Sequence, residues 1–260
     1  MTDALKISKA NGILEVVIDR PKANAIDNPT SRELGQLFLD FLADDSLRVA
    51  ILSGAGERFF SAGWDLKAAA EGEAVDSDYG PGGFGGITEL TQRDKPIIVA
   101  VNGNAIGGGV DIMVSADLAV AADHAQFWTP EVKVGVIADA TAIRLPKRIP
   151  RAVALEMLLT GRRMDAGEAL RLGLVNRVVP SAKLMEAARE MARDIVEAAP
   201  LAVAATMEAF RHGETTSLAD CYTAMKNRAW PAHAAMVDSE DAVEGPLAFA
   251  EKRAPVWKGR

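Results

Sequence analysis

The chain has 260 residues, of which 49% are hydrophobic and 25% are charged, and its formal net charge is −7. This is the composition of a globular protein that can bury a full core as one large domain, or as one domain with an appendage. The acidic balance argues against nucleic acid as a general partner, although a few local lysines or arginines can still bind an anionic small ligand.

The cysteine and histidine content bounds the class of protein further. A single cysteine, Cys221, excludes an internal disulfide framework and fits a reducing compartment. The three histidines lack metal-ligand spacing, so we expect no metal. Residues 1–6 lack the basic segment and apolar run of a secretory signal, and asparagines and glycines interrupt the uncharged run 96–110. We therefore expect a cytoplasmic protein without a membrane span.

The N-terminal third alternates strand, turn and helix signals. Ile13–Ile18 is nearly all apolar and predicts a strand buried on both faces. A helix capped by the residues at 27–30 is predicted from about Ser31 to Ala43, and a second buried strand is predicted over 49–53. The segment 68–86, rich in glycine, alanine and acidic residues, predicts either a mobile flap over a site or a disordered surface insertion.

Two glycine-rich turns follow buried strands. The first has the sequence FFSAGWDL at 59–66, and the second has NGNAIGGGVD at 102–111 after the apolar run 96–101. Glycines between a strand and a helix leave backbone N–H groups exposed at the helix N-terminus, which stabilises an anion. One N–H group from each turn would form an oxyanion hole for a carbonyl that becomes an enolate.

Two carboxylates accompany these turns. Asp111 closes the second turn, and Glu131 comes twenty residues later, so only the fold can bring them together. Neighbouring carboxylates tend to have separated pKa values, which gives one acid and one base near neutral pH. Taken alone, the glycines also fit tight helix packing, and Asp111 also fits a partner for the helix dipole.

The remaining chain indicates an α/β fold followed by helices. Strand, turn and helix units repeat as far as Pro150, which is typical of α/β proteins with buried sheets. Beyond Pro150 one strand-like piece is expected at 174–179, and the apolar spacing predicts helices over 151–159, 165–172, 181–199, 201–212 and 217–235. Such a helical end often serves subunit association. Rossmann, Walker A and Gly-x-Ser-x-Gly signatures are absent from the sequence.

Together these motifs resemble the crotonase, or enoyl-CoA hydratase/isomerase, superfamily over essentially the whole chain. The motifs that carry the resemblance are RPKANAI at 20–26, the turns at 59–66 and 102–111, Pro130-Glu131, TGRR at 160–163 and GLVN at 173–176. The resemblance implies a crotonase-like spiral of ββα repeats over residues 1–195 and a helical trimerisation region over 196–260. It also implies a homotrimer or homohexamer.

The same resemblance implies reversible hydration of an enoyl-CoA, with a carnitine-like acyl group as the first substrate to test. The N–H groups of Trp64 and Gly108 would hold the thioester oxygen. CoA would enter only as part of the substrate, with no metal or bound cofactor. The positions implied to contact CoA are Ala23, Ala25, Ala62, Asp65 and Leu66, with Phe249 and Lys252 near the C-terminus.

By the same resemblance, Glu131 exchanges the proton at the α-carbon while the residue at 111 holds the water. The hydratases carry Glu where this chain has Asp111, and the shorter side chain retracts the carboxylate. Many relatives have a proline and paired small residues, usually glycine, in the loop at 136–141, so Ala138 and Thr141 could reshape the acyl pocket. Asp139 stands where related isomerases can place an acid.

The sequence leaves open the reaction catalysed, whether the chain is catalytic at all, and which aromatic rings contact the acyl group. An enoyl-CoA isomerase using Glu131, alone or with Asp139, is one alternative, and a CoA-binding subunit without catalysis is another. A quaternary ammonium group prefers aromatic faces, and the candidate rings for it are Trp64, Trp128, Tyr79 and Phe84.

Overall fold

The structure, a computed structural model, describes residues 4–260, so part of the 1–6 segment lies outside it. The chain divides into two compact units. The first runs to Thr91 and resumes from Ile97 to Ala192, whereas the second comprises Gln92–Pro96 and Arg193–Arg260.

The elements of the first unit alternate between strands and helices. In chain order they are β1 (Leu5–Ala10), β2 (Ile13–Ile18), α1 (Asn28–Ala43), β3 (Val49–Gly54), β4 (Phe59–Ser61), α2 (Leu66–Ala70), β5 (Ile97–Val101), β6 (Asn104–Ile106), α3 (Gly108–Ser115), β7 (Leu118–Ala122), β8 (Gln126–Trp128), α4 (Asp139–Arg148), α5 (Arg151–Thr160), β9 (Met164–Asp165), α6 (Ala166–Arg171) and β10 (Arg177–Val179). Single 3-10 turns lie at Phe84–Gly86, Glu131–Lys133 and Ser181–Lys183.

A six-stranded sheet with the order β1-β2-β3-β5-β7-β10 forms the larger layer. Only β1 is antiparallel to its neighbour, and the other strands pair in parallel. Every residue of β3 and β5 is buried, as continuous apolar runs in a parallel sheet require. The strands expected over 13–18 and 49–53 are both present, and the apolar run 96–101 contains β5.

A second sheet, with the order β4-β6-β8-β9, is built from short strands. Along the chain, a strand of the large sheet is followed by one of the small sheet and then by a helix. This ββα sequence occurs as β3-β4-α2, as β5-β6-α3 and as β7-β8 followed by a 3-10 turn and α4. Sequence periodicity did not predict β4, β6 or β8, because three residues are too few to establish an alternating pattern.

The segment 68–86 begins as an exposed stretch and ends inside the first unit. Residues 82–87 are buried apart from the half-buried Phe84, and the Gly85 amide donates to Ser31 Oγ of α1 at 3.0 Å. A methyl group on Gly86 would collide with the backbone of Leu34 at 2.5 Å. The interpretation as a disordered surface insertion is therefore wrong for residues 82–86.

The second unit is helical. α7 (Leu184–Val196) crosses the division between the units, and α8 (Pro200–Gly213), α9 (Leu218–Lys226), α10 (Pro231–Val237) and α11 (Glu240–Glu251) follow. The single helix expected over 217–235 is two helices, and Pro231 begins the second of them, where its missing N–H costs nothing. α11 was not predicted.

The C-terminal tail is tied to its own unit rather than free. The amides of Lys258 and Gly259 donate to the carboxylate of Asp241 at 2.7 and 2.9 Å. The indole of Trp257 donates to the Glu197 carbonyl at 2.8 Å. Over residues 4–260, no helix has both the length and the apolar character needed to cross a bilayer.

Candidate active site

The small sheet gathers the predicted site residues at one edge. Its strands β4, β6 and β8 pair side by side in parallel, so their carboxyl ends meet at the same edge. β4 leads into the turn with Gly63, β6 leads into Gly107, and β8 leads into Glu131. Three segments that are far apart in sequence are thereby placed next to one another.

The first turn is held by the loop at 20–27. The Ile26 amide donates to the Gly63 carbonyl at 2.7 Å, and the Asp65 amide donates to the Ile26 carbonyl at 2.9 Å. The Ser61 hydroxyl donates to the Asn24 carbonyl at 2.7 Å and accepts from the Gly63 amide at 3.1 Å. These bonds fix the peptide that precedes Trp64.

The two glycine turns touch each other. A methyl group on Gly63 would lie 2.6 Å from the amide nitrogen of Gly108, and one on Gly108 would lie 3.2 Å from the α-carbon of Gly63. Only glycine permits this approach, and Gly63 also has a φ of +81°. Within residues 4–260, the amides of Trp64 and Gly108 donate no hydrogen bond to the protein. Two unused donors therefore lie beside this contact, as an oxyanion hole requires.

Glu131 lies against the second turn. The pairing of β6 with β8 is extended by a bond from the Gly107 amide to the Trp128 carbonyl at 2.9 Å. A methyl group on Gly107 would come within 3.1 Å of the Glu131 carboxyl carbon, so the carboxyl group packs on the Gly107 α-carbon. Glu131 Oε2 is buried and has no hydrogen-bond partner among the described residues.

Asp111 is buried in the first turn of α3 and is held by α4. Both the backbone N–H and the hydroxyl of Thr141 donate to Asp111 Oδ1, at 2.7 and 2.6 Å. No other hydrogen bond reaches this carboxyl group from the described part of the chain. Asp111 is 5% exposed and Thr141 is fully buried.

The two carboxyl groups have raised pKa values for the same main reason. Burial raises the pKa of Asp111 to about 7, against the opposing effect of the Thr141 hydrogen bonds, and the charges of Asp139 and Glu131 add to the rise. Burial also raises the pKa of Glu131 to about 7, with a further contribution from the charge of Asp139. Near neutral pH the pair can therefore hold one proton and exchange it.

The residues implied to line the CoA path form one patch on two adjoining stretches: Ala23, Ala25, Ala62, Asp65 and Leu66. The Ala62 amide donates to the Ala23 carbonyl at 2.9 Å, and Leu66 is 62% exposed. The Asp65 carboxylate caps α2 and pairs with Arg20 at 3.2 Å. In the second unit, Phe249 and Lys252 are both exposed.

Comparison with known proteins identifies the family. A family model described as enoyl-CoA hydratase/isomerase matches residues 8–260. The chain is 54% identical over 261 residues, covering all of both chains, to a carnitinyl-CoA dehydratase of Escherichia coli O157:H7 and to one of Citrobacter koseri. The chain belongs to the enoyl-CoA hydratase/isomerase family.

Solved structures of this family share the fold. An enoyl-CoA hydratase from Mycobacterium tuberculosis H37Rv has a TM-score of 0.91 at 38% identity, with full coverage of both chains. A carnitinyl-CoA hydratase from Mycobacterium avium has a TM-score of 0.76 at 38% identity, also with full coverage. The predicted crotonase-like α/β fold is confirmed, as is the prediction of a hydro-lyase of the enoyl-CoA hydratase/isomerase family that acts on a CoA thioester.

The candidate aromatic rings of this family member divide into two groups. Trp128 has its ring face covered by the guanidinium of Arg163, 4.4 Å from the ring centre, so it serves packing. Trp64, Tyr79 and Phe84 instead lie around Glu73 and Gly108. Sequence reasoning missed Glu73 entirely, because a single acid within an acid-rich segment carries no distinguishing signal.

Thr141 is the second residue whose role the sequence did not disclose. It was noted as a departure from the family pattern that could reshape the acyl pocket, whereas the structure places it on the carboxyl group of Asp111. The sequence signal that could have indicated this contact is that positions 111 and 141 both depart from the family pattern. Within residues 4–260, no group of three or more histidine, cysteine or acidic side chains is placed to hold a metal.

Proposed function

We propose that the chain adds water reversibly to the double bond of an enoyl-CoA, with the thioester oxygen bound between the N–H groups of Trp64 and Gly108. The observation that carries this proposal is the contact between Gly63 and Gly108, with Glu131 packed on the adjacent Gly107. Both amides are free to donate to a ligand, and fixed donors stabilise an enolate oxygen more than a ground-state carbonyl.

The two carboxyl groups divide the proton transfers. In hydration, Asp111 as the carboxylate accepts a proton from water as the water oxygen bonds to the β-carbon. The electron pair of the double bond moves onto the thioester oxygen, and protonated Glu131 then gives its proton to the α-carbon. Asp111 ends protonated and Glu131 ionised, and exchange with solvent restores the starting state. Dehydration runs through the same steps in reverse.

The raised pKa values support this division. Because both pKa values are about 7, each carboxyl group can be either protonated or ionised near neutral pH, so the enzyme can work in both directions. Glu131 Oε2 lacks a partner among the described residues, which leaves it available to the α-carbon.

The acyl group and the assembly are parts of the same proposal. Relatives at 54% identity are named carnitinyl-CoA dehydratase, so a carnitine-type acyl group is the first substrate to test. We propose that the patch at Ala23, Ala25, Ala62, Asp65 and Leu66 lines the CoA path. Residues 196–260 would form the trimerisation region of a trimer or hexamer, with Phe249 and Lys252 contacting CoA. The cytoplasmic location stays a prediction.

The test is a spectroscopic assay with crotonyl-CoA and with a β,γ-enoyl-CoA. Hydration of crotonyl-CoA, lost by a factor of about 10² or more in Glu131→Gln, is expected. Isomerisation of the β,γ-enoyl-CoA without water uptake would show that the chain is an isomerase instead. The isomerase is the second candidate because the charge of Asp139 acts on both carboxyl groups. Binding of acyl-CoA without turnover of any substrate would contradict both enzymes.

A further inference from the structure

Glu73 is a half-buried carboxylate held entirely by neutral donors. Its Oε1 accepts from the indole N–H of Trp64 at 2.8 Å and from the hydroxyl of Tyr79 at 3.5 Å. Its Oε2 accepts from the backbone N–H of Asn28 at 2.9 Å. No lysine, arginine or histidine of the described chain pairs with it. The carboxylate is therefore fixed in place without a direct ion pair.

A closed series of contacts joins this carboxylate to the two free amides. Phe84 lies against Gly108, since a methyl group there would meet the Phe84 ring at 2.5 and 2.7 Å. The Tyr79 ring packs edge-to-face on Phe84, with 5.3 Å between ring centres. Tyr79 and Trp64 both bond to Glu73, and Trp64 supplies the second amide. The acid and three rings are thus linked by contacts to the two amides that define the position of the thioester carbonyl.

The charged groups that shift the pKa of Tyr79 are all carboxylates. Burial and the neighbouring carboxylate of Glu73 raise the pKa of Tyr79 to about 12, with further contributions from Asp139 and Asp76. The hydroxyl therefore keeps its proton and remains a donor. A neutral acyl chain gains only apolar contact with the rings, whereas a cation close to the carbonyl gains from both the carboxylate and the ring faces.

We infer that Glu73, with the rings of Trp64, Tyr79 and Phe84, forms a subsite that selects acyl groups carrying a quaternary ammonium a few bonds from the thioester. This inference rests on the proposed function, because it takes the carbonyl position from the amides of Trp64 and Gly108. A quaternary ammonium suits the subsite better than a primary ammonium, since it has no N–H group to satisfy and is stabilised by aromatic faces.

The test compares two substrates that differ in one atom. One is γ-trimethylammonio-crotonyl-CoA, and the other is its tert-butyl isostere, in which carbon replaces the quaternary nitrogen. The wild-type chain is expected to have a kcat/KM at least about tenfold higher for the cation, which corresponds to about 1.4 kcal/mol. Glu73→Gln keeps a hydrogen-bond acceptor and removes the charge, so this preference should fall about tenfold, mainly through KM.

The control is Glu71→Gln, which removes a charge from the same segment. Glu71 is 69% exposed and pairs only loosely with Lys67, at 3.8 Å, so the preference is expected to stay unchanged. If Glu73→Gln lowers kcat/KM equally for both substrates, Glu73 only holds the 68–86 segment in place, and the inference is overturned. Equal use of both substrates by the wild-type chain overturns it too.

A second pair of variants keeps the test decisive if Glu73→Gln does not fold. Tyr79→Phe retains the ring and Tyr79→Leu removes it, so only the leucine variant should lose most of the cation preference. Equal losses in the two variants would contradict the subsite. Hydration of the tert-butyl isostere by the wild-type chain tests the proposed function separately, since failure there removes the chemistry itself rather than the selectivity.

Discussion

Thr141 donates two hydrogen bonds to the same oxygen of Asp111, one from its backbone N–H and one from its hydroxyl. Asp111 Oδ1 is thereby saturated, and Oδ2 is the oxygen left to exchange a proton with water. The hydrogen bonds also favour the carboxylate and oppose the effect of burial on its pKa. Thr141 thus positions the acid and limits how far its pKa rises.

We predict that Thr141→Val lowers kcat by about tenfold or more, because a hydrogen bond to a charged group contributes about 1.5–3 kcal/mol. The pKa of Asp111 should rise further, and the acidic limb of the kcat profile should move to higher pH. Thr141→Ser keeps the hydroxyl and should retain most of the activity and the wild-type profile. A valine variant with reduced kcat but an unshifted profile would mean that Thr141 only packs.

The combination of a short acid and Thr141 predicts a coupled response at the two positions. Thr141 is fully buried against Asp111, so Asp111→Glu alone places an extra methylene in a filled space and should cost about 1–3 kcal/mol of stability. Replacing Thr141 with Gly in the same chain should recover stability and raise kcat above that of Asp111→Glu alone. Thermal melts and kcat of the single and double variants measure this coupling, and additive effects would contradict it.

The contact between the glycine turns predicts a large difference between two similar substitutions. Gly63→Ala meets the amide nitrogen of Gly108 at 2.6 Å and should lose about 1–3 kcal/mol beyond the cost of its positive φ, together with most of kcat. Gly56→Ala has nearly the same φ, +79°, with nothing within 4 Å of the added carbon. It should lose only about 1–2 kcal/mol and keep its kcat. Comparable melts for the two variants would argue against the close approach.

The raised pKa values make stability depend on pH in a defined direction. Asp111 and Glu131 bind protons more tightly in the folded chain than in the unfolded one, so their contribution to stability is fully present below about pH 4. It is lost as the pH rises through about 7. Asp111→Asn keeps an acceptor for Thr141 and cannot ionise. It should therefore stabilise the chain on the order of 1–3 kcal/mol at about pH 8 and less at about pH 5, while abolishing hydration.

Thermal unfolding of the two chains at both pH values measures this effect. Asp45→Asn removes an exposed carboxylate and should change the melting temperature little at either pH. Equal stabilisation by Asp111→Asn at both pH values would show that the gain does not come from ionisation of the buried carboxyl group.

The long apolar strands and the two glycine turns could be predicted from the sequence. Full burial in a parallel sheet requires continuous apolar residues, and a positive φ favours glycine. Asp111 and Glu131 were singled out for their chemistry, and the fold explains how they come to the same edge: Asp111 follows β6, Glu131 follows β8, and these strands are neighbours. The short strands left no periodic signal. The break between α9 and α10 was missed although Pro231 signals it.

Hydrogen bonds between residues far apart in the sequence were beyond sequence reasoning. Thr141 and Glu73 act through groups 30 and 9 residues away, and a threonine or glutamate at such a position has many ordinary explanations. The family resemblance indicated where this chain departs from its relatives but not what the departure does. The packing of α3 on α4 shows what Thr141 contacts, and the fold of the 68–86 segment shows what Glu73 contacts.

The amides of Trp64 and Gly108 and the carboxyl group of Glu131 follow three neighbouring strands of the small sheet. The spacing between strands, about 4.8 Å, therefore sets the dimensions of the reaction centre. Glu73 and Tyr79 lie outside these strands, on the 68–86 segment, which meets the reaction centre at Trp64 and Gly108. The elementary steps and the choice of acyl group thus depend on different stretches of the chain. Grafting the 68–86 segment from one relative into another, with the residues it contacts, should transfer the choice of acyl group while leaving the elementary steps intact.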